Sequence, residues 1–145
     1  MATDGDKKFF TVAEANKMLP LVRAIVTDIS NLAGDLRDRY QRLVRVQAEQ
    51  DCLSSEYREE VQQVLEQFER DQERMREYEK ELSSLGVLLK DYHTGLVDFP
   101  CWKDNREVYL CWRLGEPAVA FWHEVEAGFA GRQRIQPESD MVPQN

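Results

Sequence analysis

Two long apolar stripes in succession constrain this chain more than any other feature. The first runs Val22, Ile25, Val26, Ile29, Leu32, Leu36, Tyr40, Leu43, Val44. The second runs Tyr57, Val61, Val64, Leu65, Phe68, Met75, Tyr78, Leu82, Leu85. Steps of three and four are the period of one helix face. Each helix is about 30 residues long, roughly 45 Å at ~1.5 Å per residue. The segment Asp51 to Ser55 is a short link, and Ser54 or Ser55 suits the N-cap of the second helix. Equal helices on a short link fold back on each other. Two helices cannot surround their own apolar stripes, so the rest of the chain or a second copy must complete the burial.

The helix ends are written in local chemistry. Thr11 and Glu14 have the spacing of a capping box, with Phe10 placed to pack on the first turn, so the first helix begins near Val12. Pro20 lacks an N–H for the carbonyl of Asn16 and predicts a kink or short break. Arg37, Arg39, Arg42 and Arg45 on helix one match Glu56, Glu59, Glu60 and Glu66 on helix two in an antiparallel pair. Exposed pairs contribute only ~0–1 kcal/mol each, so they set orientation more than stability. Ala24, Thr27, Asn31 and Gly34 form a row of small residues, either a close-packing face or a solvated stretch. Gly86 ends the second helix.

Residues 86–135 change character. All three tryptophans, Cys101, Cys111 and His123 lie there. Strands are expected at Val87–Lys90, Leu96–Phe99 (stopped by Pro100), Glu107–Arg113 and Ala118–Trp122. Glu107–Arg113 sets Val108, Leu110 and Trp112 on one face and Tyr109, Cys111 and Arg113 on the other. Gly128 to Gln133 reads as a glycine-punctuated loop, and residues 136–145 as a disordered tail.

Charge and composition exclude some functions. The chain has 145 residues and a net charge of −8, and no segment is strongly basic. The electrostatic footprint of a nucleic-acid or anionic-membrane binder is absent. No apolar run approaches the ~20 residues of a membrane span, and the N-terminus has no secretory core. Three cysteines at irregular spacing argue against a disulfide framework and for a reducing cytoplasmic setting.

Phosphate-cradling, dinucleotide-binding and zinc-helix motifs are missing, so candidate residues come from the C-terminal third. His123, near Glu116, Asp98 and Glu124, can belong to a His/carboxylate metal site, act as a general base, or simply fill an aromatic rim. Cys101 and Cys111 can face each other across a hairpin as small hydrophobes, shared ligands or a redox pair. Gly128 to Arg132 has the composition of an anion loop, with Arg132 either gripping an anion or paired to Glu116 or Asp98. Asp98, if buried, needs a partner, and an arginine is the obvious one. Glu116, His123 and Arg132 sit among Trp112, Phe121, Trp122 and Phe129, where an unpaired charge is costly. The three are therefore expected on one side of the sheet.

The runs GLVDFP, REVYLCWRLGEP and WHEVEAGFAGR, with the opening FTVAEANKMLPLVR, resemble an uncharacterised bacterial family, domain of unknown function 2203, over residues 9 to 135. The resemblance implies a bacterial cytosolic origin and no mechanism. Its positions with possible chemistry are Asp98, Arg106, Cys111, Arg113, Glu116, His123, Glu124 and Arg132.

The expectation is one α+β domain over 1–145. It comprises a long antiparallel helical hairpin (10–85), a small antiparallel β-sheet (86–135) and the tail. The leading function is a non-catalytic small-ligand or metal-binding homo-oligomer, most simply a dimer. Asp98, Arg113, Glu116 and Arg132 are its ligand-binding residues, and His123 and Glu116 would hold a divalent metal. The alternatives are a metal-assisted or acid–base hydrolase using His123 and Glu116, and an adaptor acting through its helices.

Overall fold

The computed structural model describes residues 7–48 and 55–136. Two helices, α1 (Val12–Ala48) and α2 (Ser55–Ser84), precede an antiparallel sheet. Its strands are β1 (Leu88–Asp91), β2 (Leu96–Lys103), β3 (Arg106–Arg113), β4 (Phe121–Glu124) and β5 (Gln133–Arg134). They lie in chain order β1-β2-β3-β4-β5, a meander. The fold is α+β. The link between the helices and the C-terminal tail, with Ser54 as a cap, fall outside the described residues.

The capping box forms as its chemistry dictates. The Glu14 amide donates to Thr11 Oγ1 at 3.0 Å, and the Thr11 amide donates to Glu14 Oε1 at 2.9 Å. The helix then runs unbroken through Pro20, contrary to the expected break. Ala15, Leu19 and Val22, on both sides of the proline, are all buried, and this packing holds the helix across one missing bond. In the hairpin, Arg42 Nη2 meets Glu60 Oε1 at 3.0 Å. Arg39 goes elsewhere, to the fully buried Asp71 of α2, which also accepts from Gln67 at 3.0 Å.

One face of the sheet packs on one end of the hairpin. Strand register puts Val97, Phe99, Cys101, Val108, Leu110, Trp112 and Trp122 on that face, and all are buried. They meet Phe10, Ala15, Leu19, Val22, Val26 and Ile29 of the N-terminal segment and α1, and Leu82 of α2. At this end of the hairpin the third layer that the two stripes required is thus this sheet, while Tyr40 and Val44 farther along the first stripe stay exposed. Asn16 fixes it from α1: its Oδ1 accepts from the Val119 amide at 2.8 Å, and its Nδ2 donates to the Val119 carbonyl at 3.2 Å. Val119 is two residues before β4, so this clamp sets where β4 begins.

The strands differ from expectation where edges matter. β2 continues through Pro100 to Lys103 instead of stopping. The Pro100 carbonyl points away from β3 and accepts from the Phe10 amide at 2.7 Å. Its nitrogen lies on that same side, past the end of β1, where no ladder bond is lost. β4 is Phe121–Glu124, three residues later than its expected start, because Ala118–Ala120 serve the Asn16 clamp and the Ala120 carbonyl takes the Ile135 amide at 2.9 Å. The glycine-punctuated segment holds a short 3-10 turn, Phe129–Gly131, and the small strand β5. Asp104 and Asn105, with φ of 51° and 63°, make the two-residue hairpin between β2 and β3.

Two glycines yield opposite expectations. Gly95 has φ of 68°, and a Cβ there would stand 2.7 Å from both Leu114 Cβ and Val26 Cγ1. Gly95→Ala should lower unfolding free energy by about 2–4 kcal/mol in denaturant titration. A Cβ on Gly34 meets nothing within 4 Å. Gly34→Ala should raise stability by roughly 0.5–1 kcal/mol. A loss at Gly34 would show that the small-residue row touches another chain.

Candidate functional site

The second face of the sheet carries the chemistry. Register places Asp98 opposite Cys111, Cys111 opposite Phe121, and Tyr109 opposite His123. Directly paired residues share a face. Asp98, Tyr109, Cys111, Arg113, Phe121 and His123 therefore all project away from the helices. Asp98, Cys111 and His123 are nonetheless buried, at 2%, 0% and 2% exposure. Among the described residues no helix covers them, and neighbouring side chains do.

Asp98 and His123 meet across the intervening strand. His123 Nε2 stands 3.0 Å from Asp98 Oδ1, above Cys111 of β3. The other ring nitrogen, Nδ1, lies 2.7 Å from the backbone carbonyl of Glu124. A carbonyl can only accept, so Nδ1 carries hydrogen. Nε2 of the neutral ring is then a lone pair aimed at a carboxylate oxygen. Two acceptors at 3.0 Å require a cation between them. A proton serves, borne by either partner, and so does a metal ion. Backbone fixing of one nitrogen while the other faces a ligand is the arrangement of metal-binding histidines.

One donor atom from each of Asp98, Cys111 and His123 lies within 4.8 Å of the others. Burial pushes the Asp98 carboxyl above its ordinary range, against hydrogen bonds from His123 and Cys111 that lower it. Burial, with the Asp98 charge adding to it, pushes the Cys111 thiol up to about 11, while Arg132 opposes the rise. Cys111 alone is thus a thiol at neutral pH, and a metal ion would be needed to make it a thiolate.

Arg132 lies beside this cluster. Its Nη1 is 3.9 Å from Cys111 Sγ and 3.1 Å from Glu116 Oε1, and its Nη2 also pairs with Glu116 Oε2. Glu116 additionally accepts from the Arg113 amide at 2.8 Å. Its carbonyl takes the indole N–H of buried Trp112 at 3.0 Å. The Arg132 guanidinium sits 3.9 Å from the Phe121 ring centre and 4.4 Å from that of Phe129. Burial raises the pKa of Glu116, but the bonds from Arg132 and the Arg113 amide outweigh it and hold the carboxyl below its usual value.

The structure thus places the sequence-chosen residues in two touching groups. His123 and Asp98 form one, with Cys111 beneath. Glu116 and Arg132 form the other, joined to the first where Arg132 reaches Cys111. The buried partner of Asp98 is a histidine and not the anticipated arginine, because Arg132 is already forked onto Glu116. Glu124, opposite Val108, has its side chain on the other face of the sheet, where its carboxylate pairs with Arg106 at 3.0 Å from Oε1 to Nε, and it lends only its carbonyl to the site. Cys101 and Cys111 do not face each other: Cys101 pairs with Val108 on the helix side, Cys111 with Asp98 on the outer side, and both are free thiols. They therefore share neither a metal nor a disulfide here. His93 is exposed at the β1–β2 turn. The Asp98–Cys111 pairing was within reach of sequence reasoning, since Pro100 does not end β2 and the Asp104–Asn105 turn fixes the register.

Residues 8–135 match the family model described as uncharacterized conserved protein, DUF2203. Neither the curated proteins nor the solved structures contain a match to the chain.

The depressed carboxyl of Glu116 has a defined pH signature. Its folded-state pKa lies below the ordinary 4.5, so its stabilisation is fully present above that value and is lost as pH falls through the folded pKa. The stability difference between the wild type and Glu116→Gln, read by chemical denaturation, should be constant at neutral pH and shrink on acidification below 4.5. A difference that does not change with pH would show that Arg132 does not bind the charged form preferentially.

Proposed function

This chain belongs to the uncharacterised DUF2203 family, and we propose that it is a non-catalytic metal-binding protein of the bacterial cytosol, working as a homodimer. The observation that carries the reading is the pair of acceptors, Asp98 Oδ1 and His123 Nε2, aimed at each other above Cys111. One sulfur, one nitrogen and one oxygen donor suit zinc, not magnesium or calcium, which take oxygen ligands. A tetrahedral ion with bonds of about 2.0–2.3 Å holds donors roughly 3.5 Å apart, so the Asp98–His123 pair would open slightly, the sulfur would close in, and a fourth position would be left for water or a ligand. Glu116 keeps Arg132 against the sulfur, where positive charge favours the thiolate. The hydrolase alternative is weaker, because Arg132 occupies both oxygens that Glu116 would need as a base.

A cytosolic setting is supported by the two free, buried cysteines. No helix among the described residues is long and apolar enough to cross a membrane. The dimer is supported by unfinished burial on the hairpin. Leu21, Tyr40 and Val44 of α1 stand 47%, 57% and 46% exposed. The basic outer half of α1 and the acidic α2 are complementary between copies as well as within one.

Metal analysis of protein purified without a histidine tag should give one zinc per chain. Cobalt substitution should produce a thiolate-to-cobalt charge-transfer band in the near ultraviolet. Cys111→Ser should remove the band, and His123→Ala and Asp98→Asn should abolish stoichiometric binding with the helices still folded by circular dichroism. Glu116→Gln should keep the stoichiometry and weaken affinity; loss of the metal there would make Glu116 a direct ligand. Binding should weaken as pH falls, because the metal displaces protons from Cys111 and from the Asp98–His123 pair. Wild-type protein without metal, or a cobalt complex lacking the sulfur band, would refute this site.

Light scattering at micromolar concentration should give twice the mass of one chain. A monomer would refute the dimer and leave the metal site unaffected.

A further inference from the structure

Beside the donor cluster, three arginines and two phenylalanines alternate on the same outer face. Arg113 lies 5.2 Å from the Phe129 ring centre and Arg132 4.4 Å from it. Arg132 and Arg134 lie 3.9 Å and 5.2 Å from that of Phe121. The order Arg113, Phe129, Arg132, Phe121, Arg134 is thus a continuous ladder. Strand pairing explains its position. Phe121 is opposite Cys111 on one side and Arg134 on the other, and Arg113 is two residues beyond Cys111 along β3.

This grouping is unusual for the chain. The protein carries a net charge of −8, yet three guanidiniums share one row, and only the middle one, Arg132, is ion-paired, with Glu116. Among the described residues, Arg113 and Arg134 are exposed and form no ion pair. Like charges held together repel, and aromatic faces offset only part of that cost. Three positive charges against one negative leave about +2, which matches a phosphate monoester of roughly −1.5 to −2 at neutral pH. Two free guanidinium forks flanking a third suit tetrahedral phosphate oxygens, and more donors are present than one planar carboxylate would use. The exposed edge of Phe129 and the half-buried Phe121 offer apolar surface to whatever the phosphate is attached to.

We infer that the Arg113–Arg132–Arg134 ladder is a binding site for a phosphate monoester with an aromatic or apolar body. The site uses none of the three proposed metal donors and goes beyond the metal reading.

The test is calorimetric titration of the full chain at low salt with phenyl phosphate, inorganic phosphate and benzoate. Phenyl phosphate should bind saturably and more tightly than the other two. The double variant Arg113→Gln, Arg134→Gln should weaken it by roughly tenfold or more, and the corresponding double lysine variant should recover part of the loss. Both arginines are exposed, and an unchanged circular dichroism spectrum confirms that the variants fold. Titration of Cys111→Ser and of chelator-treated protein should give the same binding, which separates failure here from failure of the metal site. Absence of saturable phenyl phosphate binding, or unchanged affinity in the glutamine variant, would overturn the inference. Equal affinity for inorganic phosphate would overturn the monoester assignment, because the ring would then contribute nothing.

Discussion

A five-stranded meander has two faces, and among the described residues helices cover only one of them. That asymmetry governs the rest of the structure. The helix-facing side is apolar and interdigitates with α1 and the end of α2, and its burial drives folding. The outer side has no such cover, yet Asp98, Cys111 and His123 are buried on it. A buried carboxylate and imidazole are tolerable only when each satisfies the other. The 3.0 Å contact between His123 and Asp98 provides that satisfaction once a proton or a metal ion lies between them, and it ties β2 to β4 across β3. The ring is held from behind by the Glu124 carbonyl, so its orientation is set by backbone as well as by side chains.

The remainder of the outer face is built around this pair. Arg132 closes over Cys111 and is itself gripped by Glu116 and two phenylalanine rings. Glu116 is in turn positioned by the Arg113 amide and by the Trp112 indole, which belongs to the helix-facing core. The two faces are thus mechanically joined through one residue. Packing of Trp112 against the helices sets where Glu116 stands, Glu116 sets Arg132, and Arg132 sets the polarity around Cys111. Hydrophobic burial on one side thereby specifies electrostatics on the other.

Much of the fold was legible because periodicity is a local property. The two stripes, the capping box at Thr11 and Glu14, the stop at Gly86 and the Glu107–Arg113 strand all depend on residues close in sequence. Pro20 and Pro100 misled because their local cost is real but small against long-range packing. Ala15, Leu19 and Val22 bury across the first, and the second has its nitrogen on a vacant strand edge beside Phe10. The displaced start of β4 was hidden for the same reason: the Asn16 clamp on Val119 joins residues 103 positions apart. In the site, the residue types drew attention, but the partners followed from register. Asp98 gains His123, rather than an arginine, only once β2, β3 and β4 are aligned, and a single-residue slip would send each of these side chains to the helix face.

The same alignment explains why cation-seeking and anion-seeking chemistry adjoin without cancelling. Asp98, Cys111 and His123 converge inward, where low polarity makes each donor's demand for a positive partner acute. Of the arginines, Arg134 ends the row that runs Asp98, Cys111, Phe121, Arg134, Arg113 lies two residues beyond Cys111 along β3, and Arg132 touches Cys111 itself. Phe121 stands between Cys111 and Arg134 in that row, and its ring faces Arg132 and Arg134. Cys111 and Phe121 stand between Asp98 and Arg134, and Glu116 holds Arg132, so neither arginine is paired with the buried acid. Strand register and the Glu116–Arg132 pair together therefore keep two opposite binding potentials on one face.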